Sequence, residues 1–367
     1  MTTQIDELMQ FLSGSITPFH AVEVMAKMLR ASEFEQLDQF DAVRMTPGKG
    51  YFVVHQGSSL MALRAGQGSV EAGLRLVGAH TDSPNLSVKP NPVKGRDGCI
   101  QLGVDVYGGA LLNPWFDRDL GIGGRVTLLT ADNTLLTTLF DTARAVAVIP
   151  SLAIHLDREA NNQRSINRQK DVVPLVMLGE PEQFDLKAWL AQELALADSQ
   201  WQGARVMDYE LSLYDTQPPS QIGIDGDFIA SARLDNLLSC YAGMRALIDA
   251  DDAEWSLFVA TDHEEVGSAS TVGAQGPMLM DALAALAPDP KLNRMMRAQS
   301  WMMSVDNAHA THPNYADRHD DQHSPRLGDG PIVLPQAKSE RITNVCRSIS
   351  VRSAKTRKRA APSPVVA

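Results

Sequence analysis

Acidic and imidazole side chains recur at one kind of position in this 367-residue sequence, directly after a predicted strand or at the start of a predicted helix. They form four clusters: His80 with Asp82, Asp235, Glu264 with Glu265, and Asp306. In open α/β sheets, ligands bind beyond the carboxyl ends of the strands, where residues far apart in sequence can meet. We therefore expect the four clusters to line one crevice.

Histidine and carboxylate side chains are the ligands expected at a hydrolytic metal centre. Hydrolysis of an amide at neutral pH needs a strong nucleophile and stabilisation of the oxyanion that forms, and a pair of metal ions supplies both. Glu264 and Glu265 are adjacent, and such like charges cost free energy unless a cation neutralises one. One ligand and one general base is the assignment that we favour, with a solvated loop pair as the alternative.

Each of the other clusters also has a structural interpretation. His80 could be a satisfied core histidine, and Asp82 could either cap a turn or be a carboxylate that lies near the metal and its general base. Asp235 precedes an apolar helix, so it could cap that helix or bridge two metal ions, and taken alone the cap is favoured. Asp306 begins a stretch that contains four histidines, at positions 309, 312, 319 and 323. We interpret this stretch as a loop that lines the site rather than as an independent metal tract.

The elements that must position these residues follow from hydrophobic periodicity. Helices are predicted over residues 5–12, 18–34, 236–249 and 278–287, and strands over 51–54, 60–63, 74–79, 255–260 and 301–305. Residues 88–224 instead show short strand-like stretches, at 100–106, 125–130 and 137–139, between turn residues, which predicts an inserted β-rich domain. The Gly-rich segment 121–124 precedes a strand instead of following one, so we predict turn geometry rather than a phosphate loop. The fold class is α/β.

Bulk composition restricts the function further. The net charge of −11 disfavours nucleic acid and anionic membrane as partners. No segment has the length and apolarity of a membrane span, and the N-terminus does not resemble a secretion signal. Cys99, Cys240 and Cys346 form no CxxC pair, which disfavours a disulfide framework or a thiolate zinc knuckle. We expect a cytoplasmic protein.

Five motifs, in this order, resemble those of the M18 aspartyl aminopeptidases: AHTDSP at 79–84, DRDLG at 117–121, SARLDNL at 231–237, TDHEEVGS at 261–268 and DNAHATHPNY at 306–315. The resemblance runs from near residue 10 to about residue 334. It implies an α/β/α sandwich zinc-exopeptidase domain (1–87 and 225–336) with an inserted dimerisation domain (88–224). The implied activity is release of N-terminal residues, preferably Asp or Glu, from peptide substrates through a water activated by two metal ions.

The resemblance also implies roles for individual residues. The implied metal ligands are His80, Asp235 as the bridge, Glu265 and Asp306, and the implied general base is Glu264. Asp82 would orient His80, and His155 in the inserted domain would reach the substrate site of a neighbouring subunit. Two Zn²⁺ ions per subunit are expected, with Co²⁺ or Mn²⁺ as possible substitutes. The family also implies a homo-oligomer built from dimers, up to a dodecamer.

Residues 337–367 depart from the family. This segment contains eight Lys or Arg residues and one Glu, which predicts a basic tail that is disordered or loosely attached. It replaces a family region that includes a glycine-rich segment and the last metal-ligating histidine, so we expect a truncated or frameshifted chain. The metal held by Glu265 would then bind weakly, unless His309 or His312 substitutes. The alternatives to a working aminopeptidase are an inactive homologue that only folds and assembles, and a related small-amide metallohydrolase.

Overall fold

The computed structural model describes residues 3–40, 45–322, 324–333 and 365–366. The expectation of a disordered basic tail therefore falls outside the described residues, apart from positions 365 and 366. The first elements are α1 (Gln4–Gly14), α2 (Pro18–Ala31), β1 (Glu35–Gln36), β2 (Gly50–His55), β3 (Ser59–Arg64) and β4 (Leu74–His80). The middle elements are β5 (Asn85–Arg96), β6 (Cys99–Tyr107), β7 (Leu120–Leu129), β8 (Leu135–Asp141), β9 (Leu175–Leu178), α3 (Leu186–Ala197) and β10 (Arg205–Asp215). The last elements are β11 (Ser220–Ile222), β12 (Phe228–Ala230), α4 (Leu234–Ile248), β13 (Trp255–Thr261), α5 (Met278–Leu286), α6 (Pro290–Gln299), β14 (Trp301–Ser304) and β15 (Val365–Val366).

The first two helices begin where the sequence provides capping groups. Thr3 and Asp6 form a capping box at the start of α1, in which each side chain accepts a hydrogen bond from the other's backbone N–H. At the start of α2, the Thr17 hydroxyl accepts from the backbone N–H of His20, and Pro18 occupies the first helical position. Local chemistry therefore fixes where both helices begin.

One mixed sheet carries the predicted site residues. Its strand order is β1-β2-β3-β13-β4-β14. The neighbours β13, β4 and β14 run parallel, whereas β3 is antiparallel to both β2 and β13. The carboxyl ends of the three parallel strands therefore lie at the same edge of the sheet.

Helices cover both faces of this sheet. Phe258 and Ala260 of β13 pack in one core with α1, α2 and α4, whereas Leu257 and Val259 pack on the opposite face in a core with α5 and α6. Side chains alternate between the faces of a strand, so a strand buried on both sides must be apolar at nearly every position. The predicted α/β/α sandwich is confirmed.

A second sheet forms the middle of the chain, in the order β8-β7-β10-β5-β6-β9, and every neighbouring pair is antiparallel. Helix α3 covers it with Leu186, Leu190 and Leu194, which join the buried side chains of the sheet in a separate core. All its strands lie within the predicted insertion, except that β5 begins at Asn85. Outside both sheets, β12 pairs with β11 and, in parallel, with β15.

The structure corrects some local expectations. The turn predicted at 121–124 was wrong, because these residues lie inside β7 and pair with β10. A Cβ atom at Gly121 would lie 2.5 Å from the Tyr214 ring, and one at Gly124 would lie 1.9 Å from the carbonyl oxygen of Glu210. Close neighbours, rather than a turn, therefore favour glycine here. The prediction also missed helices α3 and α6, and the helix predicted over 18–34 ends at residue 31.

In the part of the chain that the structure describes, no helix combines the length and the apolar character required to traverse a bilayer.

Candidate metal centre

The predicted site residues meet at the carboxyl edge of the first sheet. His80 is the last residue of β4, and Asp306 follows β14 by two residues. Glu264 and Glu265 lie in a short 3₁₀ turn, Glu264–Val266, three residues after β13 ends. Asp235 comes from the first turn of α4. The four clusters therefore converge as the sequence predicts.

The distances in this group match those around a single zinc ion. The Nε2 atom of His80 lies 3.5 Å from an oxygen of Asp235 and 3.5 Å from an oxygen of Asp306. One ligand atom from each of these three residues lies within 4.8 Å of the others. Tetrahedral zinc with bonds of about 2.0–2.2 Å separates its ligand atoms by about 3.4 Å. His80, Asp235 and Asp306 therefore fit a common ion, and a carboxylate oxygen of Glu264 lies 3.8 Å from the same Nε2 atom.

Asp82 lies on the Nδ1 side of the His80 ring. The Nδ1 atom of His80 lies 3.0 Å from the backbone oxygen of Asp82 and 3.2 Å from a carboxylate oxygen of the same residue. Acceptors at Nδ1 favour a proton there, which leaves the Nε2 lone pair free for a cation. The buried Cys240 contacts the backbone of His80: its thiol donates to the backbone oxygen of this residue.

The start of α4 is joined to both neighbouring segments. Asn236, which is fully buried, donates from its side-chain nitrogen to the backbone oxygen of Val305 at 3.0 Å. The Ser83 hydroxyl donates to the backbone oxygen of Asp235. These bonds hold Asp235 between the turn after β4 and the segment after β14. The peptide bond between Asp235 and Asn236 is cis.

The site is open to solvent on one side and buried on the other. His80 is 5% exposed and Asp82 is fully buried, whereas the side chains of Asp235, Glu264 and Asp306 are 53%, 51% and 54% exposed. A buried imidazole thus faces three carboxylates that water or a small ligand can reach.

The negative charges of the carboxylates in this site favour a bound cation. Burial lowers the pKa of His80, but the carboxylates of Asp235, Asp306 and Asp82 outweigh burial and raise it to about 12. Without a metal, a proton on His80 therefore compensates part of the negative charge. Burial, followed by the charges of Asp235 and Asp82, raises the pKa of Glu265 to about 7. A divalent ion would neutralise the same carboxylates.

Tyr107 also contributes to the hydrogen bonding of the site, and the sequence did not indicate this role. Its hydroxyl donates to a carboxylate oxygen of Asp82 at 2.7 Å, and the backbone N–H groups of Glu264 and Glu265 donate to the same carboxylate at 3.1 Å each. Burial raises the pKa of Asp82, but hydrogen bonds from His80 and Tyr107 lower it below its usual value, so the carboxylate is charged at neutral pH. Tyr107 belongs to the second sheet, and no sequence spacing connects it with this turn.

Known proteins share the family that the motifs indicate. The family model of the aminopeptidase I zinc metalloproteases, M18, matches residues 11–361, so the match extends beyond residue 334, where the motifs led us to expect the resemblance to end. A probable M18 family aminopeptidase 2 of Pseudomonas entomophila (strain L48) is 48% identical over 339 residues, which cover 92% of this chain and 79% of that protein. The chain belongs to the M18 family. The resemblance predicted from the motifs and the enzyme class, a zinc metallopeptidase, are thereby confirmed.

Solved structures agree on the fold. A chain in the cryo-EM structure of the Ape4 and Nbr1 complex has a TM-score of 0.89 and 30% identity, covering 97% of this M18 chain and 73% of that one. A chain in the S. cerevesiae mApe1 dodecamer has a TM-score of 0.80 at 24% identity, covering 97% and 83%. The second likeness supports the fold alone.

Three predicted histidines lie outside the cluster of this M18 chain. His155 lies in an exposed turn after β8, next to the exposed side chains of Ile154 and Leu156. His309 and His312 are exposed, and His312 accepts from the backbone N–H of Asn314. Neither His309 nor His312 belongs to the group of ligand atoms around His80. That His309 or His312 serves as a metal ligand stays a prediction.

Proposed function

We propose that this M18 chain removes N-terminal residues from peptides, preferentially Asp or Glu, by attack of a metal-activated water on the first peptide bond. The observation that carries the proposal is the convergence of His80, Asp235 and Asp306 at distances suited to zinc, with the Glu264 carboxylate beside them. Membership of a zinc metalloprotease family supports the choice of metal. The preference for acidic residues rests on the family resemblance alone.

His80 and Asp306 would hold one zinc ion and Glu265 a second, and Asp235 would serve as a ligand to both. The donor set consists of one imidazole nitrogen and carboxylate oxygens, which accepts Zn²⁺ and tolerates Co²⁺ or Mn²⁺. When bound, such ions acidify a water molecule and polarise the carbonyl group that is attacked.

The protein's own part in the reaction is proton transfer and orientation. Glu264 is the proposed general base: its carboxylate accepts the proton of the attacking water and then returns it to the amine nitrogen of the departing peptide. A half-exposed side chain next to the ligand group can reach both positions. Asp82 holds the His80 ring so that Nε2 faces the site.

We further propose that the catalytic domain comprises 1–87 and 225–336, that 88–224 is a dimerisation domain, and that the chain forms a homo-oligomer. Exposed apolar side chains on the second sheet and its loops support assembly, namely Leu111, Leu152, Ile154, Leu156 and Leu178. His155 lies within this exposed stretch, which is compatible with a contact to a neighbouring subunit's substrate. A cytoplasmic location is proposed from the cysteine content.

The test is hydrolysis of aspartyl-, glutamyl- and leucyl-anilide by the purified chain, supplemented with Zn²⁺ or Co²⁺. We expect faster release from the two acidic substrates. Glu264→Gln keeps the shape of the side chain and removes the base, so turnover should fall by about 10²- to 10⁴-fold while metal still binds. Glu182→Gln, at an exposed site on the second domain, is the matched control and should leave turnover unchanged.

The other outcomes point to the alternatives. Equal or faster hydrolysis of the leucyl substrate would contradict the acidic preference. Tight metal binding without any hydrolysis would indicate an inactive homologue, and full activity of Glu264→Gln would refute the role of the base.

A further inference from the structure

One corner of the second sheet contacts the proposed metal centre directly. Strand β6 ends at Tyr107, which faces Asn85 of β5, three residues after Asp82. Tyr107 and the following Gly108, which we call the Tyr107–Gly108 corner, are partly buried against the turn that carries Glu264 and Glu265. The proposed dimerisation domain therefore contacts the proposed catalytic domain at the metal centre.

The first contact completes the hydrogen bonding of Asp82. One oxygen of this carboxylate lies near His80 Nδ1 and the backbone N–H of Glu264, and the other accepts from the backbone N–H of Glu265 and from the Tyr107 hydroxyl. A carboxylate offers about four acceptor positions, so all of them are used. Tyr107 supplies the only one of these four donors that comes from the second sheet.

The second contact is a close approach of backbone to side chain. Gly108 has φ +70°, and a Cβ atom built there would lie 3.1 Å from the Cβ atom of Glu265 and 3.2 Å from its carboxylate oxygen. A residue with a side chain at this position would therefore require Glu265 to shift by a few tenths of an ångström, in addition to the backbone strain at positive φ. Among the described residues, and apart from its own chain neighbours, Gly109 has no heavy atom within 4 Å of the corresponding position.

We propose that the Tyr107–Gly108 corner is a positioning element for the metal centre, through which the second sheet fixes where the carboxylates of Glu264 and Glu265 lie. Tyr107 acts through Asp82, which holds the two backbone N–H groups of the turn, and Gly108 leaves room for the Glu265 side chain. This inference rests on the proposed function, since it assumes that the cluster binds metal. Its consequence is that a change confined to the second sheet alters metal binding in the first.

The first experiment compares Tyr107→Phe with Tyr209→Phe in titrations with Co²⁺, followed by visible absorption. Tyr209 is a matched control, because its hydroxyl also belongs to the second sheet and donates at 2.9 Å to the backbone oxygens of Lys89 and Pro90. We expect Tyr107→Phe to weaken Co²⁺ binding by about 10- to 100-fold and to shift the absorption bands, with Tyr209→Phe like the wild type. Circular dichroism verifies that both variants are folded.

The second experiment compares Gly108→Ala with Gly109→Ala in the same titration. Gly108→Ala should change the Co²⁺ spectrum and weaken binding, whereas Gly109→Ala should do neither. If Tyr107→Phe and Gly108→Ala both match the wild type in affinity and spectrum, the inference is overturned while the metal centre stands. A wild-type chain that binds no Co²⁺ would refute the proposed metal centre, and the inference with it.

Discussion

Replacing Asp82 by Asn perturbs the site at the point where its hydrogen bonds converge. The carboxylate is fully buried and is surrounded by four donors, which come from His80, Glu264, Glu265 and Tyr107. Asn has nearly the same shape but replaces one acceptor oxygen by an NH₂ group and removes the charge. Either orientation of the amide places NH₂ opposite two former donors.

The structure allows the cost to be worked out. If NH₂ takes the side facing Tyr107, the phenol can rotate and accept, but the Glu265 N–H loses its acceptor, which costs about 1–3 kcal/mol. The two bonds on the other oxygen lose their charge assistance, about 1 kcal/mol each. We therefore expect Asp82→Asn to lower the free energy of unfolding by about 3–5 kcal/mol. The less constrained His80 ring should also weaken zinc binding by about 10- to 100-fold.

Two measurements check this prediction. Denaturant unfolding of the metal-free protein gives the free energy of unfolding, and competition with a chromophoric chelator gives the zinc affinity. Asp97→Asn, in an exposed turn, is the control and should leave both quantities unchanged. Zinc affinity of Asp82→Asn within about twofold of the wild type would refute the orienting role assigned to Asp82.

Three further predictions concern stability. Gly243→Ala should lower the free energy of unfolding by about 1–3 kcal/mol in denaturant unfolding, because the new Cβ atom would lie 2.7 Å from the Phe258 ring. This cost exceeds the gain from the higher helix propensity of Ala. A gain in stability would contradict this packing. Burial lowers the pKa of His20 to about 4, so below about pH 6.5 the unfolded chain binds a proton that the folded chain does not. The free energy of unfolding should therefore fall by at most about 3 kcal/mol between about pH 6.5 and 4 relative to His20→Asn, and identical pH profiles would refute the assignment. Arg144→Met removes two 2.8 Å hydrogen bonds to Glu193 near the surface. It should lower the free energy of unfolding by less than about 1 kcal/mol and leave zinc affinity unchanged. A larger decrease would show that this pair is a principal support of the second sheet.

The convergence of the site was predictable from sequence because it needs only parallel strands. His80, Glu264 and Asp306 each lie at or just after the end of an apolar strand, and the carboxyl ends of neighbouring parallel strands meet at one edge. The alternation of apolar residues also predicted the buried strands of the first sheet. Asp235 was harder, since a carboxylate at a helix start is more often a cap, and only the tertiary structure brings it to 3.5 Å from His80 Nε2.

Contacts between the two sheets were not predictable in this way. The Tyr107 hydroxyl donates to the Asp82 carboxylate across 25 residues of sequence, and no local pattern encodes such a tertiary contact. Tertiary neighbours likewise make the glycines at 121–124 part of a strand, although their composition is typical of a turn. Helices α3 and α6 were missed despite usable signals, since Asp185 and Asp289 accept backbone hydrogen bonds at their first turns.

The most direct test of the metal centre is anomalous diffraction at the zinc edge from crystals of the zinc-loaded protein. We predict a strong peak within about 2.2 Å of His80 Nε2 that also contacts oxygens of Asp235 and Asp306. A second peak on the Glu265 side would support the pair of ions. Absence of density at His80, or a peak confined to His309 and His312, would contradict the assignment of these residues as zinc ligands.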